Sequence, residues 1–196
     1  MSSILEILYD MLARPKEAFQ VISEHGKLSK ACQIVLFSTV LSSLAAYANV
    51  FEGSFKGAML LAQIVCSVLM WGISVAVWHL LAELLGGRGS VKTLLTTIGF
   101  TYFLQLLIIP IYLIASFLPT IGFLLIMIAT LVFAVWSIVL GILVIREVYQ
   151  LSGGKATLIY FLPLLIFMGI FIVMIFTAGT FFMSAASDIL ANPPQF

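Results

Sequence analysis

The chain has 196 residues, of which 63% are hydrophobic and 9% charged, with a formal net charge of +1. A soluble domain carries about 25% charged residues, so this composition, with its mean hydropathy of +1.23, excludes a water-soluble enzyme. No Lys/Arg-rich run interleaved with aromatics is present, which sets nucleic acid aside as a partner.

No Asp, Glu, Lys or Arg occurs in residues 31–51, 57–82, 93–145 or 156–187. A spanning helix needs roughly 20 apolar residues to cross about 30 Å of hydrocarbon, so these stretches supply one, one, two and one crossings. The expected fold class is an all-α integral membrane protein, with five transmembrane helices in a bundle preceded by amphipathic interfacial N-terminal helices.

Residues 1–30 form the expected cytoplasmic amphipathic segment. Ile4, Leu5, Leu8, Tyr9, Met11, Leu12 and Phe19 recur at helical spacing among Glu6, Asp10, Arg14, Lys16 and Glu17, the pattern of a helix lying on a membrane surface. Pro15 suits a first helical position, so Arg14-Pro15 divides the segment into two short helices. The second carries Ala18, Phe19 and Ile22 on one side and ends at His25-Gly26. The segment lacks the short apolar core and cleavage site of a removable signal peptide, so Met1 is expected to be kept.

A membrane domain over 31–183 follows, with spans at about 31–50, 58–85, 93–118, 121–145 and 157–183, and an extracytoplasmic tail at 184–196. The first span shows Ser38, Ser42, Ala45, Ala46 and Asn49 as a small-residue seam suited to packing within the chain, with an oligomer contact as the alternative. Gly86-Gly87-Arg88-Gly89-Ser90 stops one helix and offers Ser90 as the N-cap of the next. Pro119 and Gly122 form the outer turn between the third and fourth spans. Pro110 and Pro163 fall inside spans, where each removes a backbone donor and predicts a kink. A short echo of the 86–94 connection occurs at Gly153-Gly154-Lys155-Ala156-Thr157-Leu158.

Eight of the nine basic residues flank one side of these spans: Arg14, Lys16, Lys27, Lys30, Arg88, Lys92, Arg146 and Lys155, against Lys56 alone on the other. Lys and Arg stay cytoplasmic, so the N-terminus is expected inside and the C-terminus outside. Cys32 and Cys66 then lie at different depths, too far apart for a disulfide, and no metal-ligand spacing joins them. No cofactor or metal is expected.

His79 and Glu83 lie four apart on one helix face that continues outward through Ala76 and Gly72, small residues that let helices approach closely. The third span presents Thr93, Thr97, Thr101 and Gln105 at the same spacing, and the fourth contributes Ser137 and ends in Arg146-Glu147. A polar cluster of His79, Glu83, Thr97, Thr101, Gln105 and Arg146 at the inner half of the membrane is the candidate site. Intramembrane ionisable residues suit ion, proton or headgroup handling, while the same groups near an interface also serve as packing and pairing contacts. Paired carboxylates and His/Cys clusters are missing, so no catalytic residue is assigned. In the N-terminal segment Arg14, Pro15 and Phe19 are the candidate membrane-surface or partner contacts.

Five spans, Arg14-Pro15-Lys16-Glu17-Ala18-Phe19 ahead of the first of them, and Gly86-Gly87-Arg88-Gly89-Ser90-Val91-Lys92 followed by Thr93 to Pro110 give a chain that resembles the bacterial branch of the Yip family, over about residues 14 to 180. That family takes its name from proteins interacting with Ypt/Rab GTPases. The resemblance implies a five-span fold, homo- or hetero-oligomers and, in eukaryotic relatives, roles in vesicle transport. The long cytosolic N-terminal region and the Asp-Leu-Tyr-Gly-Pro motif of many members are missing, with only Leu8-Tyr9-Asp10 and then Pro15 in its place. A Rab-type GTPase is therefore not an expected partner.

The expected function is that of a non-enzymatic, membrane-organising or partner-binding protein of a bacterial cytoplasmic membrane. Its partners would be the lipid bilayer and either a second copy or another membrane protein. The alternative is a small transporter or channel for an ion, a proton or a lipid headgroup, using the cluster around His79 and Glu83.

Overall fold

The computed structural model describes residues 4–50, 57–118 and 121–191. Lys56, on which part of the charge asymmetry rests, and Pro119 of the expected outer turn lie outside the described residues. The chain forms helices α1 (Ile4–Ala13), α2 (Pro15–His25), α3 (Leu28–Val50) and α4 (Gly57–Leu84), then α5 (Val91–Thr101), α6 (Ile108–Ser116), α7 (Gly122–Tyr149) and α8 (Gly153–Ala191). A 3-10 segment, Tyr102–Leu107, joins α5 to α6. Among the described residues five helical stretches are long and apolar enough to cross a membrane: Leu28–Ala45, Gly57–Leu84, Val91–Ser116, Gly122–Tyr149 and Gly153–Ser184.

Local signals in the sequence account for the helix ends. Pro15 opens α2 in its first turn, and the Gly26 amide closes it on the Ile22 carbonyl. Ser90 caps α5, its hydroxyl accepting from the Thr93 amide at 3.1 Å. α4 ends in a Schellman turn: the Gly86 amide donates to the Glu83 carbonyl and the Gly87 amide to Ala82, with Gly86 at φ +83°. α7 ends in a similar way, with Gln150 at φ +53° and the Leu151 amide on the Arg146 carbonyl. The Gly-Gly-basic echo does not map these two turns onto each other. Gly86 and Gly87 terminate a helix, whereas Gly153 and Gly154 begin α8, and the residues in the places of Gly86 and Gly87 are Gln150 and Leu151.

The third span is broken at Tyr102–Leu107, ahead of Pro110. The proline ring crowds the carbonyl four residues back, that of Leu106, and its missing N–H interrupts the α-helical ladder. The chain answers by tightening to 3-10 through Leu106 and restarting at Ile108, which puts Pro110 in the first turn of α6, where a missing donor costs least. α8, by contrast, remains helical through Pro163.

The chain divides into two units, residues 1–160 and 161–196. In the first, α3 packs on α4, α5, the 3-10 segment and α6, while α7 packs on α2, α5 and α6. The core unites Val35 of α3, Val75 of α4, Leu94 and Phe100 of α5, and Leu140, Val144 and Tyr149 of α7. α3 and α5 approach closely at Gly99, where an added Cβ would meet the Ala31 Cβ at 2.8 Å. At Gly72, where the sequence suggests close packing, a Cβ would meet nothing within 4 Å and Ala76 is exposed. This expectation is corrected: the α3–α5 contact supplies the small-residue approach, because there two small residues face each other. Of the α3 seam, Ser38 is buried and Ser42 and Ala45 are half-buried; Ala46 and Asn49 have side chains outside the described residues.

The N-terminal helices are amphipathic as expected, with part of their apolar surface turned inward while Tyr9 and Leu12 remain exposed. Met11, Ala18, Phe19 and Ile22 are buried in the core of the first unit, and Phe19 is only 1% exposed. The second unit continues α8 from Phe161. Its Leu164, Phe167, Phe171, Val173, Phe176 and Phe181 are each more than half exposed, a surface that water does not tolerate and a bilayer covers.

Candidate functional site

The expected cluster separates into two places. The first is at the basic end of α4 and α7. His79 Nδ1 lies 2.6 Å from the Tyr149 hydroxyl, and its Nε2 lies 3.5 Å from the Glu83 carboxylate. A carboxylate only accepts, so in a neutral imidazole Nε2 carries the proton and Nδ1 accepts from the Tyr149 O–H. Glu83 is largely exposed there, at 56% of its side chain. The ion-pair partner of Arg146 is the adjacent Glu147, 3.9 Å away.

Tyr149 also organises the turns beside this pair. Its carbonyl accepts from the Arg88 amide at 3.3 Å. An added Cβ on Gly87 or Gly89 would fall within 2.9 Å of the Tyr149 side chain. Lys155 Nζ donates to the Leu85 carbonyl at 3.0 Å. The α4–α5 turn is therefore held to the α7–α8 turn from both sides.

The second place is a cavity of about 230 Å³ between α4, α5 with its 3-10 extension, α7 and the start of α8. Thr101 and Gln105 line it, joined by Ser74 and Ser137. Four rings complete the wall: Trp78 and Tyr160 stack at 5.0 Å and 21°, and Trp71 meets Tyr102 edge-on at 6.4 Å. Gln105 Oε1 accepts from Ser42 at 3.4 Å. Thr97 lines neither place; it is buried and its hydroxyl donates to the Thr93 carbonyl at 2.9 Å.

At the N-terminus Arg14 is exposed and paired with Glu17 at 3.5 Å, and Pro15 is half-buried. Phe19 is turned into the core. From sequence, Trp71, Trp78, Tyr149 and Tyr160 read as ordinary interfacial or lipid-facing aromatics rather than site residues, and Ser74 and Tyr102 are not singled out. For the residues on α4 and α5 the available signal is the shared helical face of Trp71, Ser74 and Trp78, and of Ile98, Thr101, Tyr102 and Gln105.

Fold and site together define a multi-pass, all-α membrane protein whose polar groups are gathered at one helix end and around one cavity. The Yip1 domain model matches residues 9–187. The chain belongs to the Yip1 domain family. No curated protein and no solved structure matches it.

Proposed function

We propose that this Yip1 domain protein is a non-enzymatic, membrane-organising or partner-binding component of the bacterial branch of its family. It works in a cytoplasmic membrane with its N-terminus inside and its C-terminus outside. The observation that carries the reading is the seating of α2. The helix buries Ala18, Phe19 and Ile22 and leaves Lys16, Glu17, Gln20 and Glu24 exposed, so it presents a fixed polar face where the sequence is richest in charge. The basic residues that flank the spans support the orientation. The partner is a second copy or another membrane protein, and the bilayer surrounds the apolar helices.

A photo-crosslinking residue at position 20, used in living cells, tests this reading. Cross-linked partners should be recovered and then lost when Lys16→Glu and Glu17→Lys are combined, with membrane insertion unchanged. Recovery that ignores the charge reversal counts against it.

A second reading is a small transporter or channel, favoured by the chain of titratable groups from Tyr149 through His79 to the exposed Glu83. It requires pH-dependent flux in proteoliposomes that Glu83→Gln abolishes. Flux that persists in that variant removes it.

A further inference from the structure

The cavity beside α5 has chemistry of its own, separate from the His79–Glu83 pair and independent of the partner-binding reading. Its walls sit at one depth. Trp71 to Trp78 lie 6 to 13 residues before the end of α4, Ile98 to Gln105 lie 7 to 14 after the start of α5, and Ser137 lies 12 before the end of α7. At about 1.5 Å per residue these walls are about 10–20 Å from the basic helix ends. The volume of about 230 Å³ holds the equivalent of about eight waters at about 30 Å³ each. It is smaller than the pockets that take a whole drug-sized ligand, so one compact group fits and attached chains stay outside.

The described residues lining it include no Asp, Glu, Lys, Arg or His. A phosphate or sulfate would be left without the cationic donors it needs, and a metal ion or primary amine without a carboxylate. A quaternary ammonium needs ring faces converging on it, but Trp78 and Tyr160 turn their faces toward each other. What the walls provide is neutral hydrogen bonding. Thr101 donates its proton to the Ile98 carbonyl at 2.7 Å and so keeps its oxygen lone pairs as acceptors. Ser74, Ser137 and the amide of Gln105 can each donate and accept, and the indole N–H of Trp71 is buried without a partner among the described residues. Gln105 and Ser137 are exposed. At this depth in a membrane protein, exposed amide and hydroxyl groups are costly against hydrocarbon unless something polar meets them.

We propose that this cavity binds the uncharged, hydroxyl-bearing headgroup of a membrane lipid, a glycerol or sugar group, between Thr101, Gln105, Ser74 and Ser137. Aromatic rings wall the apolar faces of the headgroup, and the acyl chains remain in the bilayer. A free polyol shares the hydroxyl chemistry but lacks the acyl anchor, so the two sources separate in a binding experiment.

The chain has three tryptophans, and Trp71 and Trp78 line the cavity. The buried indole N–H of Trp136 has no partner among the described residues, so Trp136→Phe leaves no hydrogen bond broken there and keeps both remaining indoles as reporters. This full-length variant is placed in nanodiscs of dioleoylphosphatidylcholine, with or without monoglucosyldioleoylglycerol. Indole emission is recorded, and lipids retained after release are identified by native mass spectrometry. The glucosyl lipid should shift the emission and be retained in preference to the choline lipid. Thr101→Val and Ser137→Ala should each weaken this binding about five- to tenfold. Thr101→Val is nearly isosteric and keeps the test valid should the serine variant fold poorly. Preferential retention of the choline lipid overturns the proposal, as does a glucosyl-lipid response unchanged in both variants. A response to free glucose with no lipid retained overturns the lipid headgroup and assigns the cavity to a soluble polyol.

Discussion

The Nδ1 of His79 and the hydroxyl of Tyr149, 2.6 Å apart, tie the end of α4 to the last residue of α7. The bond is short, Tyr149 is buried, and the same residue receives the Arg88 amide on its carbonyl. Tyr149→Phe keeps the ring in the core and removes only the hydroxyl. It should lower stability by about 1 kcal/mol, the net worth of one such hydrogen bond, read as a reduced thermal midpoint in detergent micelles. An unchanged midpoint would show that the bond contributes nothing.

The two turns respond differently to the same substitution. An alanine Cβ at Gly89 would lie 2.7 Å from the Val148 carbonyl oxygen and 2.8 Å from the Tyr149 ring. Gly89→Ala should therefore destabilise by about 1–3 kcal/mol, as overpacked sites do. Gly153 and Gly154 have nothing within 4 Å of an added Cβ and begin a helix, where alanine is the better residue. Gly153→Ala should be neutral or slightly stabilising. Parallel unfolding curves of the two variants check the contrast.

Gln150 holds a left-handed backbone conformation, φ +53°, at the end of α7, in the position usually given to glycine. Its side chain is exposed. Gln150→Gly should relieve the strain and raise stability by up to about 1 kcal/mol, reduced by the extra freedom glycine gives the unfolded chain. A lower thermal midpoint would mean that the glutamine side chain contributes more than its backbone costs.

Phe19 is almost wholly buried, whereas Lys16 on the same helix is exposed. Phe19→Ala should cost about 3 kcal/mol, at the lower end of the range for buried aromatics, and Lys16→Ala almost nothing. Limited proteolysis in membranes reads the difference, with cleavage in α2 accelerated only in the first variant.

The spans were legible because charge is expensive in hydrocarbon and the chain keeps it out of long windows. Ser90 and Pro15 were legible because capping chemistry is local. The 3-10 segment was not, since the effect of Pro110 falls on the preceding turn, and sequence periodicity marks the proline and not the carbonyl it crowds. The inward turn of Phe19 was also hidden: a helical period reveals that an apolar face exists, not whether lipid or protein covers it. At the candidate site, Thr101, Gln105 and Ser137 stood out as polar residues in apolar surroundings. Trp71, Trp78, Tyr102 and Tyr160 did not, because aromatics in spans are ordinary at interfaces and toward lipid. The partner of His79 came from another helix, 70 residues away in sequence, a distance that no local pattern bridges.

The most direct test of the account is thiol accessibility along α2. In a chain with Cys32 and Cys66 replaced by serine, Gln20→Cys and Ile22→Cys are treated with a membrane-impermeant maleimide in inverted and right-side-out vesicles. The account predicts labelling at position 20 in inverted vesicles only, and at position 22 only after unfolding. Equal labelling at both positions, or labelling of position 20 from the outer side, would contradict it.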